Sequence, residues 1–323
     1  MISSTSLFAP VDEDLRLLTE NLRRLISARH PILGAAAEHL FEAGGKRLRP
    51  AIVFLVSRAT LEDTEITPRH RRLAEITEMI HTASLVHDDV VDEAALRRNV
   101  PTVNNLFDNR IAVLAGDFLF AQSSWYLANL DNLEVVKLLS EVIRDFAEGE
   151  ILQSINRFDT GISLEAYLEK SYYKTASLMA NSAKAAAVLR EVSLETITCL
   201  YNYGKDLGLA FQIVDDILDF TSPTEVLGKP AGSDLISGNI TAPALFALEE
   251  HPFLKTLIER EFREEGDRER ALDLVQDSQG LRRSRELAAY HAKLAHRHLE
   301  GLKASASKAS LLDLTDYVLS RVY

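Results

Sequence analysis

Two short acidic clusters with the same spacing are the residues of this sequence best suited to chemistry. Both follow the pattern DDxxD: Asp88, Asp89 and Asp92 form the first cluster, and Asp215, Asp216 and Asp219 form the second. On an α-helix the first and last aspartates of this pattern share a face and lie about 6 Å apart along the axis. Carboxylates at this separation repel each other, so they need a cation between or beside them. The clusters therefore predict binding of divalent metal ions.

Apolar residues surround both clusters, which argues against the ordinary alternative of a charged helix face in water. The flanking residues are Leu85, Val86, Val90 and Val91 for the first cluster and Ile213, Val214, Ile217, Leu218 and Phe220 for the second. Ligands that are all oxygen favour Mg²⁺, which keeps several waters and takes a few carboxylates together with substrate phosphates. His81 and His87 raise the alternative of zinc, but no cysteine is near and an isolated histidine is more often a hydrogen-bonded core residue.

Basic residues accompany the acidic clusters. Lys46, Arg47 and Arg49 lie between a glycine pair and Pro50, and Arg97 and Arg98 follow the first cluster. Each group could simply be solvated, but cations that converge without competing acids suit an anion. Together with two metal clusters they predict a site for two diphosphates. Lys174 with Thr175, and Lys229 with Asp234 in a turn-rich loop, could be ordinary surface residues or part of the same site, with the loop as a lid.

Composition narrows the remaining possibilities. A net charge of −12 argues against nucleic acid and anionic membrane surfaces as general partners. The single cysteine, Cys199, excludes an internal disulfide and a cysteine-based metal site, and it fits a reducing cytoplasm. No run of 18 or more apolar residues and no signal or transit peptide is evident, so we expect a cytoplasmic protein without a membrane span.

Helical periodicity dominates the whole chain, and glycine (14) and proline (9) are scarce in its 323 residues. We predict a flexible arm over residues 1–9 and a loop over residues 221–241. The predicted helices start at Pro10 and then cover about 32–43, 50–60, 69–94, 105–130, 132–157, 163–189 and 193–220, with further helices to the C-terminus. No strand-like alternation is seen. A single all-α domain over residues 1–323 is the simplest interpretation.

Taken in order, the segments GGKRLRP, DDVVD followed by RR, KT, GLAFQIVDDILD and GKPAGSDL resemble those of the trans-isoprenyl diphosphate synthases. The resemblance covers nearly the whole chain, and the N-terminal segment further resembles the long-chain solanesyl diphosphate synthases of cyanobacteria and plastids. It implies an all-α, single-domain helical bundle of the isoprenoid synthase type with a central active-site cavity, usually as a homodimer. It also implies a Mg²⁺-assisted transfer in which isopentenyl diphosphate is added head to tail to an allylic diphosphate.

The resemblance assigns roles to residues that match the motifs of the family. Mg²⁺ would be bound by Asp88, Asp92 and Asp215. Asp89, Asp216 and Asp219 would support these ligands, and Asp219 is also a candidate ligand itself. Isopentenyl diphosphate would be held by Lys46, Arg49, His81 and Arg98, and Arg47 is a further candidate for substrate binding. The allylic diphosphate would be held by Arg97, Lys174, Thr175, Gln212 and Lys229. The residues expected to act directly in ionisation are Asp88, Asp89, Asp92, Lys174, Asp215 and Asp216. Arg321 and Tyr323 are expected to help cover the diphosphates.

Product length should depend on the helix face that precedes Asp88. Ala83 and Ser84 lie one turn upstream, and Met79 and Ile80 lie a further turn away. Because small side chains at the first turn let a growing tail pass, whereas short-product members of the family commonly carry an aromatic there, we expect a long product for a quinone side chain. Such an apolar product would have to be delivered to a membrane.

Three alternatives remain at this point. A shorter-chain farnesyl or geranylgeranyl synthase would carry the same motifs. A regulatory subunit of a heteromeric synthase would share the fold, although such subunits tend to lose aspartates and both clusters here are complete. A class I terpene cyclase shares the helical fold and one DDxxD cluster, but its second metal motif is usually of the NSE type, and it has no need of a second diphosphate site.

Overall fold

The structure is a computed structural model that describes residues 7–26, 30–42, 47–60, 65–97, 100–223 and 230–321; of residues 37, 38 and 40–42 it describes the backbone only. The predicted all-α class is confirmed. The helices are α1 (Asp12–Leu25), α2 (Pro31–Glu42), α3 (Leu48–Ala59), α4 (Pro68–Val91), α5 (Val103–Leu106), α6 (Asn109–Ala128), α7 (Leu133–Ile155), α8 (Leu164–Ser171), α9 (Ser177–Leu189), α10 (Leu194–Thr221), α11 (Ser233–Ile236), α12 (Ala242–Glu250), α13 (Pro252–Glu259), α14 (Asp267–Asp277), α15 (Gly280–His298) and α16 (Ala306–Ser320).

Two compact units divide the chain, and each is built from segments that are distant in sequence. The first unit comprises Met1–Ile143, Leu178–Tyr201 and Leu299–Asp313. The second unit comprises Arg144–Ser177, Asn202–His298 and Leu314–Tyr323. The single domain over residues 1–323 therefore stays a prediction.

Helix α4 lies in the core of the first unit and packs against α3 and α6. Pro68 begins it, a position where the missing N–H costs no hydrogen bond, and the Thr67 hydroxyl accepts from the His70 N–H at 3.4 Å. Its middle is buried on every side from Leu73 to Ile80. Burial also lowers the pKa of His70 to about 4, so this histidine is neutral, with Nε2 3.1 Å from the Ala186 carbonyl oxygen. A rigid α4 fixes the position of the first aspartate cluster at its C-terminal end.

Several boundaries differ from the sequence prediction. Helix α4 ends at Val91 rather than Ala94, because Asp92 forms the C-cap and Glu93 takes a left-handed φ of 52°. A two-residue antiparallel hairpin follows, β1 (Leu96–Arg97) paired with β2 (Val100–Pro101), where no strand was expected. Helix α6 starts afresh at Asn109 because the Asp108 carboxylate caps the Ile111 N–H at 2.7 Å.

Three further expectations need correction. The predicted helix over residues 163–189 contains a π-helical turn, Tyr172–Ala176. The predicted loop over residues 221–241 contains the short helix α11. The predicted flexible arm is wrong for residues 7–9, because Leu7 is buried and Ala9–Val11 forms a 3₁₀ turn.

Helix α6 has an exposed apolar face. Val113, Leu114 and Trp125 are 40%, 48% and 61% exposed. By length and composition this helix could cross a membrane, which the sequence analysis did not anticipate; its apolar window has a mean hydropathy of 1.2, and 33% of it is buried. Such a face is equally typical of an interface with another protein.

A close approach between α10 and the π turn depends on a glycine in the second unit. A Cβ at Gly208 would lie 2.5 Å from the Ala176 Cα and 2.7 Å from its Cβ, so any side chain here must push the π turn away.

We therefore expect Gly208→Ala to lower the thermal midpoint by several degrees, since overpacking costs about 1–3 kcal/mol and each kcal/mol corresponds to about 2–4 °C in a domain of 150–250 residues. Gly34→Ala in α2 is the matched control, because no described atom lies within 4 Å of its Cβ position. Alanine favours a helix over glycine, so the control midpoint should stay or rise. Differential scanning calorimetry measures both, and an unchanged midpoint for Gly208→Ala would contradict the contact.

Candidate active site

The first aspartate cluster lies on the last turn of α4, in the first unit. Asp89 points inward and is buried, and one of its oxygens accepts from Arg97 Nε at 2.8 Å and lies 2.7 Å from Arg97 Nη2. Asp88 is half-buried and Asp92 is exposed, and the Asp92 N–H donates to the Asp88 carbonyl at 2.8 Å. The structure thus sets Asp88 and Asp92 on one partly accessible turn, as predicted, and gives Asp89 an internal cation.

The hairpin after α4 holds Arg97 in place. The side-chain amide of Asn104 donates to the carbonyl oxygens of Asp89 at 3.3 Å and Ala94 at 3.1 Å, and the Thr102 hydroxyl donates to Ala94 at 2.7 Å. These bonds turn the chain back on itself, so Arg97 on β1 faces the cluster. Binding of the allylic diphosphate by Arg97 stays a prediction; the structure shows that Asp89 orients its guanidinium.

Two of the predicted cations near Pro50 have protein partners in the first unit. Arg47 adopts a left-handed φ of 49° and forms an ion pair with Glu78, which is buried. Arg49 Nη1 lies 2.9 Å from His81 Nε2. Because a guanidinium can only donate, Nε2 of His81 accepts here and its proton lies on Nδ1. The structure therefore brings Arg49 and His81 together, as predicted for one anion site, whereas Glu78 fixes Arg47. Lys46, Arg98, Lys229 and Tyr323 lie outside the described residues.

The residues before Asp88 form a buried face. Met79, Ile80 and Ala83 are fully buried. Ser84 is half-buried, and its hydroxyl donates to the His81 carbonyl at 2.9 Å. His87, on another face of α4, packs against α6: its Nε2 lies 3.1 Å from the Val113 carbonyl oxygen, and a Cβ at Gly116 would come within 2.2 Å of the ring.

The second aspartate cluster lies in the second unit on α10, and its three carboxylates have different surroundings. Asp216 is buried and accepts from the Tyr167 hydroxyl at 2.6 Å and from Gln212 Nε2 at 2.8 Å. Burial raises its pKa to about 7 and also raises the pKa of the Tyr167 phenol. Asp215 is more accessible and forms an ion pair with Arg321 at 2.7 Å.

Asp219 anchors the turn-rich segment that follows. One carboxylate oxygen accepts from the Ser233 hydroxyl at 3.0 Å, and the other from the Asp234 N–H at 3.3 Å. Its backbone carbonyl accepts from the Gly232 N–H at 2.8 Å. Metal ligation by Asp219 stays a prediction. In the structure the contacts of Asp219 hold the start of α11.

The π turn presents Lys174 and Thr175. Lys174 Nζ lies 2.7 Å from Glu150 Oε2 and donates to Gln153 at 3.0 Å, and the Thr175 hydroxyl donates to Gln212 at 2.6 Å. A π turn inserts one extra residue into a helix and is frequent at functional sites. Gln212 thereby links Thr175 to Asp216, so three predicted site residues form one hydrogen-bonded chain within the second unit.

Sequence reasoning missed several partners of these residues. Tyr167 is fully buried, and Lys170 donates to Asn239 while its pKa is lowered by burial. A signal existed: Tyr167, Lys170 and Lys174 are spaced three and four apart, so they share one helix face. Glu78 and Glu150 carried no comparable signal, because acids on helices are common.

Bound metal is compatible with these residues. No group of three or more His, Cys, Asp or Glu in the described ranges is arranged to hold an ion alone. Mg²⁺ does not need one, since it is usually held by one or two carboxylates together with waters and phosphates. Asp88, Asp92 and Asp215 are the partly accessible carboxylates of the two clusters, and their oxygens suit such a hard cation.

Comparison with known proteins agrees with the motifs. Residues 30–275 match the family model described as polyprenyl synthetase. The chain is 79% identical over 323 residues to a prenyl transferase of Synechocystis sp., covering 100% of both chains. It is 54% identical to the chloroplastic solanesyl diphosphate synthase 2 of Arabidopsis thaliana, covering 99% of this chain and 78% of that one.

Among solved structures, a polyprenyl synthase from Caulobacter crescentus complexed with calcium and isoprenyl diphosphate superposes with a TM-score of 0.92 at 35% identity, covering 99% of this chain and 98% of that one. The isoprenoid synthase fold is thereby confirmed. The chain belongs to the polyprenyl synthetase family, and it is a prenyl transferase.

Proposed function

We propose that this protein is a long-chain all-trans-polyprenyl diphosphate synthase of the solanesyl class. The synthase activity in this proposal is carried by one observation: both aspartate clusters are complete, and each has a partly accessible carboxylate near an arginine that an ion pair holds in place. Similarity over 99% of the chain to a solanesyl diphosphate synthase supports the same class. We further propose that the protein acts in the cytoplasm and delivers its product to a membrane.

The residues divide between the two substrates. Lys46, Arg49, His81 and Arg98 would hold isopentenyl diphosphate; Arg97, Lys174, Thr175, Gln212 and Lys229 would hold the allylic diphosphate. Mg²⁺, bound by Asp88, Asp92 and Asp215, would stabilise the charge that develops on the departing diphosphate.

Preset side chains reduce the cost of ionisation. Arg97 is oriented by Asp89, and Lys174 by Glu150 and Gln153, so these cations need little rearrangement when negative charge develops. The allylic carbon–oxygen bond breaks, and the double bond of isopentenyl diphosphate supplies the electron pair of the new carbon–carbon bond. A proton then leaves to the released diphosphate, which yields an allylic diphosphate longer by one unit. Water must be excluded, because it would quench the cation.

The direct test is product formation by the purified protein. We expect an allylic primer, isopentenyl diphosphate and Mg²⁺ to give long all-trans-polyprenyl diphosphates, identified by mass spectrometry after dephosphorylation. Chelation of the metal should reduce turnover by at least about a hundredfold, because removing a single preorganised electrostatic contact already costs about 10²–10³ in rate. Farnesyl or geranylgeranyl products would favour a shorter-chain synthase. No product without an added partner would favour a regulatory subunit.

Product length should respond to a bulky side chain on the buried face before Asp88. We expect Ala83→Phe or Ala83→Tyr to shift the products to shorter chains, because the ring would fill the turn that the growing tail must pass. Overpacking of this buried site costs about 1–3 kcal/mol, so circular dichroism must first show that the variant is folded. Ser84→Phe places the same ring at a half-buried position on this turn, and it should also shift the products to shorter chains. Ala309→Phe, exposed on α16, is the control. An unchanged product spectrum in the folded variants would contradict the assignment.

We also propose that the enzyme is a homodimer and that the exposed face of α6 meets a second copy. Val113, Leu114 and Trp125 form one apolar side of this helix, while Asp117 on the same side is poorly suited to a lipid interior.

On this basis Trp125→Glu should convert the dimer to a monomer in analytical ultracentrifugation. Phe253→Glu is the matched control, because Phe253 is also an exposed aromatic residue but lies on α13 of the second unit. A wild-type monomer would contradict the proposal, and detergent-dependent solubility would indicate a membrane contact instead.

A further inference from the structure

Arg321, the last residue that the structure describes, contacts helix α10 at two points beside the second aspartate cluster. Its Nη2 lies 2.7 Å from Asp215 Oδ1. The guanidinium carbon also lies 4.8 Å from the centre of the Phe211 ring, which is one helical turn before Asp215 on α10. Two different contacts therefore hold the guanidinium against the same turn of α10.

A packed helix positions this arginine. Leu314 and Val318 of α16 are fully buried, and the Thr315 hydroxyl hydrogen-bonds the buried phenol of Tyr203 on α10. Leu314, Val318 and Arg321 are spaced four and three apart, so they share one face. The buried face of α16 therefore fixes the direction in which Arg321 leaves the helix.

Asp215 lies beside a full positive charge, because a guanidinium is cationic. The ion pair is partly exposed: 24% of the Arg321 side chain and 38% of the Asp215 side chain are accessible. A metal ion from solvent can therefore compete for this carboxylate.

A divalent cation and the Arg321 guanidinium repel each other when both contact the same carboxylate oxygen of Asp215. Mg²⁺ binds a carboxylate oxygen at about 2.0–2.1 Å, and the guanidinium nitrogen lies 2.7 Å from the same oxygen. A metal ion on that oxygen would lie roughly 4 Å from the guanidinium nitrogen, and like charges at that separation repel each other. Binding of metal at Oδ1 therefore disfavours the present position of Arg321.

We propose that Arg321 is a resident counter-cation of Asp215 and competes with divalent metal for this carboxylate. A displaced guanidinium needs another anion, and a diphosphate that arrives with the metal supplies one. Arg321 thus disfavours metal alone and favours metal together with diphosphate, which makes it a positioning residue for loading of the second cluster. The inference rests on the proposed binding of metal by this cluster.

Binding of Mn²⁺ in the absence of any substrate tests the competition. The full-length Asp88→Asn/Asp92→Asn protein serves as the parent, so that the second cluster is read without the first, and electron paramagnetic resonance measures free Mn²⁺. We expect Arg321→Gln in this background to bind Mn²⁺ about threefold to tenfold more tightly than the parent. In the variant Mn²⁺ no longer has to displace the partly exposed ion pair between Arg321 and Asp215. Inorganic diphosphate should raise the Mn²⁺ affinity of the parent more than that of Arg321→Gln.

Arg263→Gln is the matched control. It removes the same charge from the second unit but from an exposed pair with Glu261, so its Mn²⁺ affinity should equal that of the parent. Equal or weaker binding by Arg321→Gln, or equal tightening in the control, would overturn the inference. A parent that binds no Mn²⁺ would instead contradict the proposed metal site itself.

Hydrogen exchange of the wild-type protein gives an independent reading. If metal displaces Arg321, the amides of residues 314–320 should exchange faster when Mn²⁺ is added, because α16 loses an anchor at its end. Unchanged exchange at a saturating Mn²⁺ concentration would argue that Arg321 stays on Asp215 and would overturn the competition.

Discussion

Repulsion between carboxylates on one helical turn is the constraint on which the candidate site depends. Two unit charges about 6 Å apart repel by roughly 3 kcal/mol at an effective dielectric constant of about 20, and a cluster of three adds further pairs. The structure reduces this repulsion differently for the buried aspartate of each cluster. Asp89 forms an ion pair with the Arg97 guanidinium. Burial raises the pKa of Asp216 to about 7, and this carboxyl accepts from two neutral donors, Tyr167 and Gln212. These contacts leave the more accessible carboxylates as the ones suited to metal.

The same logic applies to the cations. Arg47 is held by Glu78, Arg97 by Asp89 and Lys174 by Glu150. A cation in a protein ion pair has less freedom to lose when a diphosphate binds, because its side chain is already oriented. The cost is a weaker net positive field, which on the proposed mechanism would ease the release of diphosphate after each addition. Acidic residues beside the proposed diphosphate site fit that mechanism.

The helices and the two aspartate clusters could be predicted from the sequence, because apolar periodicity indicates helices and the DDxxD spacing identifies the clusters. What could not be predicted depends on partners distant in the chain. The ion pair of Arg47 with Glu78 joins residues 31 apart, and the bond from Tyr167 to Asp216 joins residues 49 apart. The hairpin at Leu96 was missed because two-residue strands show no alternation. The π turn at Tyr172 was missed because one inserted residue leaves a helical pattern locally intact.

Helix α4 has two roles with different packing requirements: it positions the first aspartate cluster, and it is proposed to limit product length. Its last turn carries the aspartates, which must stay at fixed positions, and the preceding turns at Ala83 and Met79 are both fully buried and expected to limit the product. A side chain there changes packing and available space together, because protein cores are close-packed and a void or an overlap is felt at once. On the proposed assignment, small residues at the first turn meet both demands, since they would leave room for a tail and keep α4 near its neighbours. Product length would then be bounded by the same packing that holds Asp88 in place.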